Sequence, residues 1–467
     1  MSNQIGNANY LVRRGNQNYK VLGSDISSDC QTGDLFLVHR PIGSGIGTYY
    51  KIDYEDMKTV YPNSFFDTHG YNTTKYPIVG FDFDPVNRMW MMGGGHSASL
   101  MDGVRFLKVT SSLSSSNLDI PSASSSDWTD LTSSFPWEPG AAQYGLQSAN
   151  AVTHINDGTN SYWIVKEYYY KWKYSTETTT SGLNNASNWT TIGGGYSTWL
   201  TTGIPPRTAV IKYFDGKWIA FGNTENTGSS GYTAVVVDTS IDFDTSNRET
   251  DTWISDTEIN DIIKDTYNDL YIACGAYGTI VTAPTSDIID FTTRATSLGS
   301  TDAFISLATD GRGTTMSVGG YRSGTSGNYA KIAKSTDGIN WSVISDSTIG
   351  DMEWLRDIEY YRGAWVACGR AKTGYDQVIY SIDNGDSWTE LSISGYSGPS
   401  VGVGRFLMNE VKNVGGNWYV VGQQTQNKAG ISTNFNFQNT DLFISNLTTS
   451  GITTVYKATG LGITSIL

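Results

Sequence analysis

Residues 357–393 decide the fold: Asp357-Ile-Glu-Tyr-Tyr361, then Arg362-Gly363, Trp365-Val-Ala-Cys-Gly369, Gln377–Ile382 and Trp388–Ile393. Four short apolar or alternating runs, separated by turn residues, read as four antiparallel strands joined by tight turns, which is the unit of a propeller blade. The second run returns along the chain. Its other copies are Trp90-Met-Met-Gly-Gly94, Trp163-Ile-Val-Lys-Glu167, Trp218-Ile-Ala-Phe-Gly222, Tyr271-Ile-Ala-Cys-Gly275, Thr315-Met-Ser-Val-Gly319 and Trp418-Tyr-Val-Val-Gly422. Successive copies lie about 44–73 residues apart, the spacing expected of blades.

Two further signals share this period. The corner before each copy carries hairpin chemistry: Pro85-Val-Asn87, Asn156-Asp-Gly158, Asp215-Gly216, Asn268-Asp269, Asp310-Gly311 and Gly415-Gly416. After each copy comes a Ser/Asp/Asn-rich turn ending in an aromatic that opens a fourth strand. These aromatics are Trp128, Trp189, Trp253, Phe291, Trp341 and Trp388, with Phe435 or Phe437 in the last repeat. The two landmarks use ten of the fourteen tryptophans, as expected if Trp supplies the apolar plate between adjacent blades. No helical periodicity is sustained. Residues 452–467 offer one or two more strands, placed to latch the ring by pairing with the first blade.

Composition narrows the function classes. Charged residues are 16% of the 467, and the net charge is −14. No Lys/Arg run exceeds two residues, which argues against a nucleic-acid partner and against an anionic membrane surface. No window approaches the ~18 apolar residues of a membrane span, and residues 1–14 show no apolar signal-peptide core. Membrane insertion and Sec export are therefore not expected. Three cysteines make no disulfide framework. Cys274 and Cys368 fall at the same repeat position and read as small core residues, and Cys30 stands alone.

Residues 1–75 carry a different, two-copy repeat. Tyr10-Leu-Val-Arg-Arg14 leads to Tyr19-Lys-Val21 and Asp25-Ile26. Phe36-Leu-Val-His-Arg40 leads to Tyr50-Lys-Ile52 and Asp56-Met57. Each copy reads as a β-hairpin. Two hairpins this small bury little apolar surface and are steadied by a partner or by oligomerisation. The region is read as an attachment module.

Ser381-Ile-Asp-Asn-Gly-Asp-Ser-Trp388 has the S-x-D-x-G-x-x-W pattern, and Ser335-Thr-Asp-Gly-Ile-Asn-Trp341 is a version one residue shorter. On these residues (Ser335, Asp337, Gly338, Trp341, Ser381, Asp383, Gly385, Trp388) the chain resembles the Asp-box, or BNR-repeat, β-propellers. That family includes sialidases and many non-enzymatic propellers, and its boxes sit at the blade periphery. The N-terminal units, of the form LV-R-x-G…YKV…D, resemble modules near the N-termini of virion structural proteins of tailed bacteriophages, particularly marine ones. The resemblance implies a virion location and a virion-attachment role for Tyr10, Arg14, Tyr19, Phe36, Arg40 and Tyr50.

The chemistry-bearing candidates are few. A sialidase needs three arginines, a Tyr–Glu pair and an acidic Asp, usually behind an Arg-Ile-Pro motif. The nearest match here, Ile204-Pro-Pro-Arg207, has the wrong order, and nothing marks Arg88, Arg312 and Arg356 as a triad. A two-carboxylate glycosidase would be invisible at this level. His39, His69, His96 and His154 lack metal-ligand spacing and read as loop or core residues. Asp82-Phe-Asp84-Pro-Val-Asn87 and Asp242-Phe-Asp244-Thr-Ser-Asn247 read as Asx-turns in preference to Ca²⁺ loops, since both lack the Gly and distal Glu. Gly93–Gly95 and Gly193–Gly195 open no helix and are not phosphate loops.

Glu167-Tyr-Tyr-Tyr-Lys-Trp-Lys-Tyr174 is the oddest segment, in the one copy where Glu replaces the closing Gly. Its plain reading is a hairpin packing between blades. Its functional reading is a carbohydrate-binding platform of Tyr168, Tyr170, Trp172 and Tyr174, extended by Tyr196 and Trp199.

The sequence thus predicts an all-β chain: an attachment module (1–75) followed by a seven-bladed β-propeller (76–467). The expected function is a non-enzymatic virion structural protein, tail-fibre, tail-associated or capsid-surface, that displays the propeller to host-surface glycan. Its expected partners are other virion proteins and further copies of itself, with no cofactor and no metal. Capsid decoration without receptor binding, and an Asp-box glycoside hydrolase, are the alternatives.

Overall fold

The computed structural model describes residues 4–5, 8–14, 17–19, 35–42, 46–53, 64–67, 78–95, 105–114, 126–137, 151–167, 171–192, 204–205, 208–223, 232–255, 257–294, 302–321, 330–372, 378–391, 406–414, 417–424, 430–437, 444–448, 451–456 and 464–466. It is an all-β propeller. Six four-stranded antiparallel sheets, each built from consecutive strands, form blades one to six. Their first, inner strands are Ile78–Asp84, Val152–Asn156, Val210–Phe214, Ile259–Asp265, Asp302–Thr309 and Met352–Tyr361.

The expectation of seven blades within residues 76–467 is corrected to six. The last repeat supplies only three strands, Phe406–Val414, Asn417–Gln424 and Gly430–Phe437. Their fourth neighbour is Ser64–Asp67, from ahead of blade one, with Phe435 opposite Phe66 and Phe437 opposite Ser64. The sequence count failed for a physical reason. The Trp418–Gly422 landmark marks a second strand, but the repeat has no outer strand of its own. Phe435 and Phe437 lie within its third strand instead of opening a fourth.

This composite sheet fills the space between blade six and blade one. On one side Tyr361 meets Trp418 edge-on at 6.5 Å, and on the other Trp90 meets Tyr419 at 4.8 Å. The carboxyl-terminal segment does not latch onto the first blade. Gly451–Tyr456 pairs with Ile444–Thr448, and Thr464–Ile466 pairs with Ile46–Asp53. The last pairing adds a strand to the N-terminal sheet. There Ala8–Arg14 pairs with both Gln17–Tyr19 and Leu35–Ile42, so the two hairpins join into one sheet.

The repeat aromatics do what their spacing predicts. Trp90, Trp163, Trp218, Tyr271, Trp365 and Trp418 are all buried, and Thr315, also buried, takes the same place in blade five. Each of the aromatics lies in an apolar cluster shared by neighbouring sheets; Trp218, for example, joins Tyr162, Ile164 and Trp172 of blade two to Ala220 and Val236 of blade three. The free thiols of Cys274 and Cys368 are buried in these layers, where burial pushes both pKa values up. The first corners are tight turns in left-handed conformation. Asp215 (φ 52°) with Gly216 (φ 83°), and Arg362 (φ 47°) with Gly363 (φ 91°), give the paired positive φ of a two-residue hairpin. Among the described residues no helix is long and apolar enough to cross a membrane.

Candidate functional site

The inner strands line the middle of the ring, and a repeated irregularity shapes them. In blade six Leu355 stands opposite Gly369 and Asp357 opposite Cys368, so Arg356 is an extra residue. The same bulge inserts Asn260 in blade four, Ile305 in blade five, Asn409 in the composite sheet and Val79 in blade one. A bulge bends its strand toward the partner, and the closing Gly of the repeat sits where it arrives. A Cβ on Gly275, Gly319 or Gly369 would meet a backbone carbonyl oxygen in or just before the bulged strand at 2.2, 1.9 or 2.2 Å. Blade two pairs without a bulge, which is why Glu167 is tolerated there.

In four of these sheets the residue that follows the bulge is polar and reaches the next sheet. Asp261 accepts a hydrogen bond from Leu307 N (2.9 Å), Asp357 from Val411 N (2.9 Å) and Glu410 from Phe81 N (2.9 Å). Ser306 Oγ donates to Asp357 Oδ1 at 2.6 Å, and Asp82 accepts from His154 N at 2.8 Å. A chain of side chain-to-backbone bonds thus runs around much of the channel wall. Lys412 sits among these acids, 2.9 Å from Asp82 and 3.8 Å from Glu410.

Crowded carboxylates in a dry wall hold protons. Burial first, with Asp261 adding repulsion, pushes Asp357 up to about 6. Burial pushes Glu359 up to about 8 even though Lys412 opposes it. Glu410 is raised well above the usual carboxylate range by burial and by Asp357 and Asp82. For Lys412 burial works against the charge, but Asp82, Glu410 and Glu359 outweigh it and hold the ammonium above its ordinary value. His154 Nε2 lies 3.4 Å from Asp84, yet burial keeps its pKa below the ordinary value.

At one end of the wall the chemistry changes sign. Trp354 packs between two guanidinium groups, with Arg356 Cζ at 4.9 Å and Arg370 Cζ at 6.0 Å from its ring. Arg370 is paired with Glu353 at 2.7 Å. Arg356 Nε and Trp354 Nε1 are both buried donors with no hydrogen-bond partner among the described residues.

The residues singled out by sequence are dispersed. Trp172 is buried, donates from Nε1 to Thr208 O at 3.0 Å and lies beneath Lys166, between blades two and three. Tyr174 is half-buried, with its hydroxyl 3.2 Å from both Asp242 oxygens. These two do the inter-blade packing of the plain reading. Tyr168, Tyr170, Tyr196 and Trp199 lie outside the described residues. Glu167 is buried against Lys173 at 3.3 Å. In the N-terminal sheet Tyr10 stands opposite Val38 and Val38 opposite Tyr50, while Val12 stands opposite Tyr19 and Phe36. Arg14 is paired with Gln17 and Arg40 with Thr48.

Asp84 accepts from Val86 N, Asn87 N and Asn87 Nδ2, a closed Asx-turn. The turns at 335–341 and 381–388 are built alike. Asp337 accepts from Ile339 N and Asn340 N and Nδ2, Trp341 Nε1 donates to Gly338 O at 2.9 Å, and Gly338 has φ +70°. In the second, Ser381 Oγ and Ser387 N donate to Asp383, and Gly385 has φ +82°. An open groove of about 420 Å³ runs along these turns, crossed by a 2.9 Å Lys334–Asp386 ion pair. Among the described residues no group of His, Cys, Asp and Glu is arranged to hold a metal ion.

Sequence named Arg356 only as one arginine among others, and it missed Trp354 and the channel acids as a group. The usable signal was the polar residue recurring mid-way along each first strand, ahead of a repeat that keeps its closing Gly.

No protein-family model matches the chain, and no curated protein matches it. Similar solved structures include YCF48 bound to D1 peptide, at 12% identity and a TM-score of 0.45, over 81% of this chain and 99% of that one. The Neurospora crassa Pan2 WD40 domain is similar at 8% identity and a TM-score of 0.43, over 81% and 97%. A puromycin-hydrolyzing peptidase of Mycobacterium tuberculosis is similar at 10% identity and 0.40, over 84% and 56%.

Proposed function

We propose that this chain is a non-enzymatic attachment protein of a bacteriophage virion, whose propeller contacts glycan on the host surface. One observation carries the non-catalytic half of the reading: the acids of the channel wall are engaged in holding sheets together. Asp261, Asp357 and Glu410 each accept a backbone N–H from the next sheet. A catalytic carboxylate pair must instead face a substrate across open space. The turns at 335–341 and 381–388 fit Asp-boxes in pattern and in bonding, and they serve as structural turns on this reading. The virion half rests on the N-terminal repeat. The two hairpins within residues 1–75 are the attachment module, joining other virion proteins and, by the symmetry usual in particles, further copies of the chain, while Ser64–Asp67 serves the propeller.

The test is adsorption of the fluorescently labelled full chain to a panel of bacterial cells, with and without stripping of surface polysaccharide. Saturable, polysaccharide-dependent binding without release of sugar supports attachment. Turnover of a chromogenic glycoside, lost on a single carboxylate change, overturns the non-enzymatic reading. Binding to phage capsids but to no cell overturns the receptor role in favour of decoration.

A further inference from the structure

The composite sheet meets blade one across a sequence separation of 329 residues, from Phe81 to Glu410. The described cysteines are free thiols buried elsewhere and do not fasten this junction. Phe81 and Phe83 of blade one pack with Trp90, Tyr419 and Val421 in one buried cluster that spans the two sheets. Asp82, between the two phenylalanines, points to the opposite face and meets Lys412 Nζ at 2.9 Å.

The groups around this pair fit a condensation. Phe83 N donates to Asp82 Oδ1 at 2.7 Å and His154 N to Oδ2 at 2.8 Å. These N–H groups stand where negative charge gathers when a carboxyl carbon is attacked. Glu410 Oε1 lies 3.8 Å from Nζ, near enough to pass a proton directly or through one water. Its other oxygen accepts from Phe81 N, and burial with Asp357 and Asp82 keeps Glu410 protonated. An ion pair in such a wall carries the desolvation cost of two charges, which a neutral amide in the same place does not.

We propose that Lys412 and Asp82 condense to an isopeptide bond that joins the composite sheet to blade one, with Glu410 as the proton relay. The ammonium passes one proton to Asp82 Oδ1, and the freed lone pair of Nζ attacks Cγ. The Nζ–Cγ bond forms and the Cγ–Oδ1 bond breaks. Glu410 carries a second proton from the nitrogen to the departing oxygen and ends as it began. One ammonium and one carboxylate become one amide and one water, with no redox change. Oδ2 remains as the amide oxygen and keeps its His154 N–H donor. The Lys412 side chain is 26% exposed, which gives the water a way into the channel. Fixed contact between the reactants replaces the concentration that amide formation otherwise needs, an effective molarity of roughly 10⁵–10⁸ M.

Lys212 is the internal comparison. It holds the strand position of Lys412 in blade three and lies 3.4 Å from Asp261, but Val210 stands where Glu410 does. That pair lacks a relay and stays an ion pair. The inference is independent of what the propeller binds.

The test is intact-protein mass spectrometry of the folded full chain after prolonged incubation, with peptide mapping, for wild type, K412R and E410Q. Wild type is expected to be lighter than its sequence mass by one water, with a branched peptide joining the segments of Asp82 and Lys412. K412R keeps the positive charge and E410Q keeps an acceptor for Phe81 N, yet both should show the full sequence mass. Glu410→Ala and Glu410→Gln both lose the link, so the difference in stability between them reads only the hydrogen bond to Phe81 N. Wild type at its full sequence mass overturns the proposal. So does a water lost equally from K412R, or a branch mapped to any other pair. A link that forms at the wild-type rate in E410Q overturns the relay.

Discussion

Replacing Gly369 by Ala adds one methyl group at the point where the bulged strand of blade six crosses its partner. The new Cβ would lie 2.2 Å from Trp354 O and 2.8 Å from Leu355 Cα, where 3.0 Å is the practical lower limit. Relief demands a backbone retreat of about 0.8 Å, the difference between those figures, and both offending atoms are main chain. Over-packing of this kind costs about 1–3 kcal/mol. Straightening the bulge adds to that cost, because the ladder beyond it carries Asp357 and its bonds to the composite sheet. We expect a loss of about 3 kcal/mol. Two controls separate the clash from a generic glycine effect. Gly216 has φ +83° and nothing within 4 Å of its added Cβ, so G216A costs only the left-handed penalty, about 1 kcal/mol. Gly350 has no neighbour within 4 Å and no positive φ, so G350A is neutral or stabilising by about 0.4–1 kcal/mol. Urea unfolding monitored by tryptophan fluorescence should rank the midpoints G350A, then G216A, then G369A. If G369A unfolds with or after G216A, the close approach is not what places the repeat glycine.

Other consequences are equally open to measurement. Glu410→Ala leaves Phe81 N–H unpaired at the junction of the composite sheet with blade one, at a cost of about 1–3 kcal/mol; Glu410→Gln keeps an acceptor and should cost much less, and proteolysis should cut the Ala variant first. Asp357 and Glu359 have folded-state pKa values raised to about 6 and about 8, so their contribution is fully present below the ordinary carboxylate range and lost as pH rises through those values. The melting temperature should therefore fall between pH 4 and pH 8, and Glu359→Gln should flatten the upper part of the fall. Asp337, held down at about 2 by its turn N–H groups, contributes stability above its ordinary value that is lost as pH falls toward 2. D337A should cost about 1–2 kcal/mol at pH 7 and little at pH 2. Deleting residues 64–67 should expose Gly430–Phe437 as an open edge and cause aggregation by light scattering.

The blade was legible because its signals are local. An aromatic, three apolar residues and a glycine encode a strand, an inter-blade plate and a crossing point within five positions, and Trp365–Gly369 shows all three. The closure was illegible because it depends on a pairing between distant segments, and nothing in Ser64–Asp67 announces Asn434–Phe437 as its partner. Trp172 misled because alternation on a strand assigns a residue to a face but does not tell whether that face meets solvent or the next blade. Arg356 was weighed only as one arginine among others, because a bulge shifts register by one residue and only the pairing Leu355–Gly369, Asp357–Cys368 reveals its place.

The composite sheet also dictates when the protein can finish folding. Ser64–Asp67 leaves the ribosome about 360 residues before the strand it must join, a delay of roughly 20–70 s at ordinary elongation rates. Blades one to six pair only with near neighbours in sequence and can form as they emerge. The last sheet is a contact of nearly maximal sequence separation, and such contacts are the slow ones. Until it forms, the apolar flanks of blade six and blade one face water, so a prolyl-independent slow phase, concentration-dependent in its losses, belongs to this one event.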